Sequence, residues 1–115
     1  MITLIWYPKC STCQKAQKYL TALGLKHTTR HIVEERLNEK EIERLYRKSG
    51  LPLKRFFNTS GMKYRELQLK NKLSTMSEKE QLKVLASDGM LLKRPIVESE
   101  TKVLVGFKQS EYDTL

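Results

Sequence analysis

A short apolar run leading directly into a closely spaced cysteine pair constrains this chain more than any other feature. Ile2-Thr3-Leu4-Ile5-Trp6 reads as a buried β-strand, Tyr7-Pro8-Lys9 as a turn, and Cys10-Ser11-Thr12-Cys13 as the opening of a helical pattern. A cysteine at a helix N-terminus meets unpaired backbone N–H groups and the positive end of the helix dipole, both of which favour a thiolate. A second thiol follows one helical turn later. The pair is laid out as a thiol that attacks and a thiol that resolves.

The pattern beyond the pair is that of a sheet with helices. Cys13, Ala16, Leu20 and Leu23 share one stripe of a helix expected from Ser11 to Leu23, with Gly24 as its stop. His27 to Val33 has strand character, which completes a β-α-β unit. Asn38-Glu39-Lys40-Glu41 is a capping box, Leu37 and Ile42 are spaced as a hydrophobic staple, and Ser49-Gly50 ends that helix. Short helices are expected over Leu51 to Asn58, after Pro52, and over Met62 to Leu69, separated by Thr59-Ser60-Gly61. Ser77-Glu78-Lys79-Glu80 is a second capping box, followed by the apolar stripe of Leu82, Leu85 and Ala86 up to Gly89. Ile96-Val97 and Lys102 to Val105 form a hairpin closed by Gly106, and a last helix is expected over Gln109 to Leu115. The whole of 1–115 is expected to be one α/β domain, without repeats or linkers.

A chain of 115 residues can bury a real core without metals or disulfides as staples. Apolar residues at 39% and charged residues at 30% suit a soluble globular protein. There is no apolar run of membrane-spanning length and no signal-peptide layout at the start, so no membrane association and a cytoplasmic location are expected. In that compartment paired cysteines serve redox or metal chemistry more often than structure. The formal charge of +9 raises the question of nucleic acid. However, Lys15, Lys18, Lys26, Arg47, Lys54, Lys70, Lys83 and Lys108 fall in different segments, and no block forms a basic arm. A solvated basic surface is expected instead of direct nucleic-acid binding, and an anionic small substrate or an acidic partner remains compatible with it.

Cys10, Cys13, His27 and His31 also read C-x2-C-x13-H-x3-H, inside a zinc-site spacing window. A zinc finger brings its histidines together on a helix, whereas these two lie in a Thr/Ile/Val-rich strand pattern. Residues four apart on a strand are about 13 Å apart, too far to share an ion. Zinc is therefore set aside. A structural disulfide closing so short a loop contributes little, which leaves a redox-active pair as the preferred reading. Arg94-Pro95 opens the hairpin after a long excursion, where a proline is tolerated at a strand start or in a cis bond. Arg94 is placed to offer a fixed positive charge to a thiolate or an oxyanion.

With these residues in place, the chain resembles the arsenate reductase–related (ArsC/Spx) family over nearly its whole length. The resemblance rests on the strand–Cys10-Ser11-Thr12-Cys13–helix unit, the helical insert, Leu92-Lys93-Arg94-Pro95-Ile96-Val97 and Val105-Gly106-Phe107. The stretch Phe56-Phe57-Asn58-Thr59-Ser60-Gly61-Met62-Lys63-Tyr64-Arg65-Glu66-Leu67 is similar to that of the small arsenate-reductase-like subgroup. The resemblance implies a thioredoxin-like fold, with a four-stranded mixed sheet, helices around it, a helical insert between strands 2 and 3, and a cis Pro95 facing Cys10. It implies Cys10 as nucleophile and Arg94 as supporting cation; such reductases generally lack a thiol at position 13 and rely on an external glutathione system, whereas here Cys13 offers an internal resolving step. Ser11, Thr12, Pro95 and Lys108 are expected around them, Ser11 and Thr12 as caps, with local charge from Lys9.

Of the three arginines such reductases use to hold an oxyanion, Arg94 matches one. Asn58 stands at the second position, and the third falls near Lys108. The implied activity is reduction of arsenate or of a protein or low-molecular-weight disulfide, with no bound cofactor and an external reductant of the glutathione/glutaredoxin or thioredoxin type. The implied partners are that reductant or a disulfide-bearing protein. The other branch of the resemblance is a redox-switched transcriptional regulator that binds RNA polymerase; Cys10 and Cys13 match its redox pair, while its polymerase-contacting glycine is not matched to Gly50.

Overall fold

A computed structural model describes residues 1–115. Strand β1 (Ile2–Trp6) leads into helix α1 (Ser11–Ala22), and β2 (His27–His31) follows. The insert holds α2 (Glu39–Ser49), a 3-10 turn at Leu53–Phe56, α3 (Met62–Glu66), α4 (Leu69–Lys72) and α5 (Glu78–Ser87). Strands β3 (Ile96–Glu98) and β4 (Val103–Val105) and helix α6 (Gln109–Tyr112) close the chain. The sheet order is β2-β1-β3-β4, parallel between β1 and β2 and antiparallel across the other two pairs. This is the thioredoxin-like arrangement. No helix is long and apolar enough to cross a membrane.

The period-two alternation of the strands divides the core between the two faces of the sheet. Leu4 and Val97 point to α1 and α6, where they pack with Ala16, Leu20 and Tyr112. Ile5, Ile96, Val103 and Val105 point to the insert and join Ile42, Leu45, Leu82, Leu85 and Phe56 in the larger cluster. Both capping boxes form: Asn38 and Ser77 each accept the backbone N–H three residues on, and Glu41 and Glu80 reach back to the cap. Gly50 ends α2 in the left-handed region at φ 69°, a conformation that favours glycine.

Four elements differ from the sequence pattern by two residues or more. Strand β2 stops at His31 instead of Val33, because His31 Nδ1 accepts the N–H groups of Val33 and Glu34, both at 3.1 Å, and turns the chain. The segment after Pro52 is one 3-10 turn, and Phe57 leaves it to pair with Leu92 in an antiparallel bridge. The helix expected over Met62 to Leu69 ends at Glu66, since Gln68 is left-handed at φ 53° and α4 starts afresh. The last helix is only four residues long. Gly89 accounts for a close approach that the pattern did not show. A Cβ there would lie 2.0 Å from the Ile32 carbonyl oxygen.

Candidate active site

The register of the sheet assembles the site. β1 runs between β2 and β3, and Ile5 pairs with Ile96, so the segment just before β3 comes alongside the end of β1. Past Trp6 the chain turns, and the Cys10 N–H donates to the Tyr7 carbonyl at 2.9 Å. Gln14 braces the turn by donating from Nε2 to the Pro8 carbonyl at 2.8 Å.

Cys10 is the N-cap of α1. Its backbone is extended (φ −82°, ψ 120°) and its Sγ accepts the Cys13 backbone N–H at 3.3 Å. The sulfur thus takes the position that a Ser or Asp side chain usually fills, and it receives one of the unpaired N–H groups of the first turn. Ser11 and Thr12 are the exposed first residues of the helix, and the cap comes from Cys10 itself. Both thiols are free; Cys10 is partly exposed and Cys13 fully buried.

These surroundings separate the two thiols. Partial burial pushes Cys10 up. The Cys13 thiol and backbone N–H, together with the Arg94 guanidinium, outweigh this and bring it below its ordinary 9.0. Burial pushes the Cys13 thiol up to about 12, helped by the neighbouring Cys10 and opposed by the Tyr7 backbone and Arg94. The two thiols are driven in opposite directions, Cys10 toward the thiolate and Cys13 toward the protonated form.

Arg94 reaches this position through the cis Arg94–Pro95 bond, with Pro95 buried behind it. Its guanidinium lies 5.5 Å from the centroid of the Tyr7 ring and donates from Nη1 to the Met90 carbonyl at 3.4 Å. The Tyr7 ring is in turn met edge-on by His31 at 5.6 Å. Tyr7 therefore supplies both the acceptor that fixes the Cys10 turn and the platform under Arg94. In the sequence it read only as a turn residue, and its aromatic ring beside Pro8 was the one available signal.

The remaining candidates lie farther out. Asn58 lines a cleft of about 460 Å³ together with Arg94, Met62 and Met90. Lys63, also on that cleft, is paired with Glu66 at 3.9 Å and Asp88 at 4.0 Å. Lys9 is exposed. Lys108 caps α6, exposed, after Phe107 has packed against Tyr112 at 4.9 Å, and it is not among the groups acting on either thiol. His27 Nδ1 contacts the Leu25 carbonyl at 3.0 Å, at the opposite end of β2 from His31. No group of three or more His, Cys, Asp or Glu side chains converges on a point that could hold a metal.

The chain is similar to known proteins over nearly its whole length. A family model described as the ArsC family matches residues 5–115. The chain is 56% identical over 112 residues to the uncharacterized protein YusI of Bacillus subtilis, covering 97% of this chain and 95% of that one. A solved structure from Bacteroides fragilis, described as related to the ArsC family, superposes with a TM-score of 0.95 at 48% identity, covering 98% of this chain and 95% of that one. The global transcriptional regulator Spx of Staphylococcus saprophyticus is 25% identical over 111 residues, 96% of this chain and 83% of its own.

Proposed function

The chain belongs to the ArsC family, and from that premise we propose that it is a thiol–disulfide redox protein in which Cys10 attacks and Cys13 resolves. The observation that carries this reading is the capping geometry, with the Cys10 sulfur receiving the Cys13 N–H at 3.3 Å beside Arg94. The Cys10 thiolate attacks one sulfur of a substrate disulfide, forming a mixed disulfide and expelling the other sulfur as a thiolate. Cys13 then loses its proton and attacks Cys10 Sγ. The second substrate sulfur leaves as a thiolate, so the substrate disulfide gains two electrons while Cys10 and Cys13 lose them in closing their own disulfide. An external dithiol or glutathione-type reductant resets the pair. An oxyanion such as arsenate fits the same first step less well, since Asn58 places a neutral amide beside Arg94.

A second reading is a redox-switched transcriptional regulator that docks on RNA polymerase. It is supported by the likeness to Spx over 96% of this chain. Gly50 gives that reading no added support, because ending α2 accounts for a glycine there. A mixed-disulfide trap separates the two. Cys13→Ser is expressed in the source cells, and whatever Cys10 holds is released by reductant and identified, with Cys10→Ser as control. Thiol-dependent capture of defined proteins or low-molecular-weight thiols supports the oxidoreductase. Recovery of RNA polymerase alone, equally in the Cys10→Ser control, replaces it with the regulator.

A further inference from the structure

The fold gathers some of the basic residues that the sequence scatters. Lys54 and Arg55 stand exposed on the 3-10 turn after Pro52, and Lys93 comes from the extended segment before the cis bond. The two segments are locked side by side. The Lys93 N–H donates to the Phe56 carbonyl and the Asn58 N–H to the Leu91 carbonyl, each at 2.8 Å, around the Phe57–Leu92 bridge. Beneath them Leu53, Phe56, Phe57, Leu91 and Leu92 are all buried, so the three cations rise from a fixed floor. With Pro52, Phe57 and Thr59 they line a recess of about 380 Å³.

No acidic residue lines this recess, and none of its three cations has an ion pair or a side-chain hydrogen bond within the chain. Arg30, Arg44, Arg47 and Lys48, by contrast, all carry carboxylate partners. Three like charges around one concavity repel each other, and an anionic ligand relieves that repulsion. Thr59 adds a hydroxyl that bonds to nothing else in the chain, and Arg55 offers a planar fork suited to phosphoryl oxygens. The volume is at the small end of the range for ligand sites, about 300–1,000 Å³. Lys93 serves this recess while Arg94, the next residue, serves the cleft with Asn58, so the two cavities are separate.

We infer that this recess binds a phosphate-bearing small molecule with at least two phosphoryl groups. One phosphate monoester carries about −1.5 to −2 at neutral pH, so three cations are matched by two phosphoryl groups. An extended acidic peptide carries one charge per carboxylate and presents same-side carboxylates only every 6–7 Å or so, a lower charge density than paired phosphoryl groups offer to one recess.

The test is calorimetric titration of the full chain with inorganic pyrophosphate at fixed ionic strength. Saturable one-to-one binding is expected. It weakens about tenfold or more in Lys54→Glu/Arg55→Glu and in Lys93→Gln. It holds within about twofold in Lys15→Glu/Lys18→Glu, which removes the same charge from the exposed face of α1. Cys10→Ser binds like the wild type, so the result is independent of thiol chemistry. Non-saturating heats, equal weakening by the two charge-reversal pairs, or tighter binding of a Glu-rich peptide than of pyrophosphate would overturn the assignment.

Discussion

Replacing Cys13 by Ser should flatten the alkaline limb of the protein's stability profile. Cys13 has no exposed surface, and burial pushes its thiol from 9.0 up to about 12. A group whose folded value lies above its unfolded one contributes stability that is complete below the unfolded value. That stability is lost as pH rises toward the folded value. Above about pH 9 the unfolded chain releases this proton and the folded chain keeps it. Each pH step between about 9 and 12 therefore costs about 1.4 kcal/mol, or about 4 kcal/mol over the window. Against a typical total of about 5–15 kcal/mol this is readily measured. Urea denaturation of the reduced protein from pH 7 to 11 supplies the assay. Tyr112, pushed up by burial and to a lesser degree by Cys13, is present in both variants, so the informative quantity is the stability gap between wild type and Cys13→Ser. That gap should shrink by about 2–3 kcal/mol between pH 9 and 11. A gap constant to within about 0.5 kcal/mol would refute the claim that a buried, protonated thiol waits behind Cys10.

Two further predictions concern the cation and the backbone. Arg94→Ala should raise the Cys10 pKa toward 9.0 and shift the pH profile of its alkylation upward; Tyr7→Leu, which removes only the platform, should move it the same way by less. Because the folded Cys10 value is depressed, its contribution to stability is present above the unfolded value and lost as pH falls through the folded one, and Arg94→Ala should diminish it. Profiles that coincide with wild type would contradict the role given to Arg94. Gly89→Ala would set a Cβ 2.0 Å from the Ile32 carbonyl oxygen and 2.7 Å from its carbon. Both are backbone atoms, and the Ile32 N–H is itself bonded to the Trp6 carbonyl at 3.0 Å, so neither side can yield cheaply. A loss of about 3 kcal/mol or more is expected in denaturant unfolding, and one below about 1 kcal/mol would contradict the close approach.

What could be read from the sequence was what short-range chemistry decides. The two capping boxes, the strand–turn–cysteine–helix unit and the hairpin after Pro95 each rest on residues a few positions apart. The insert was harder to read because its short helices are cut by tertiary demands. Phe57 is drawn out to pair with Leu92, and Gln68 turns left-handed to start α4 on a new axis. Within the site, the cysteine pair and the arginine were visible, while the residue joining them was not. Tyr7 meets Arg94 only because β1 and β3 are neighbours, a contact that local periodicity does not encode. The basic recess escaped for the same reason: Lys54 and Lys93 stand far apart in the chain and meet through one bridge.

The central claim is an order of events, attack by Cys10 and then resolution by Cys13. Reaction of the reduced protein with a chromogenic aryl disulfide, followed by rapid mixing and mass spectrometry, tests it directly. The wild type should release both aryl thiolates and finish as an intramolecular Cys10–Cys13 disulfide. Cys13→Ser should release one and keep an aryl adduct on Cys10, and Cys10→Ser should react only at the slow rate of a buried thiol. An adduct found first on Cys13, or a wild type that stops at the adduct without closing the disulfide, would contradict the account.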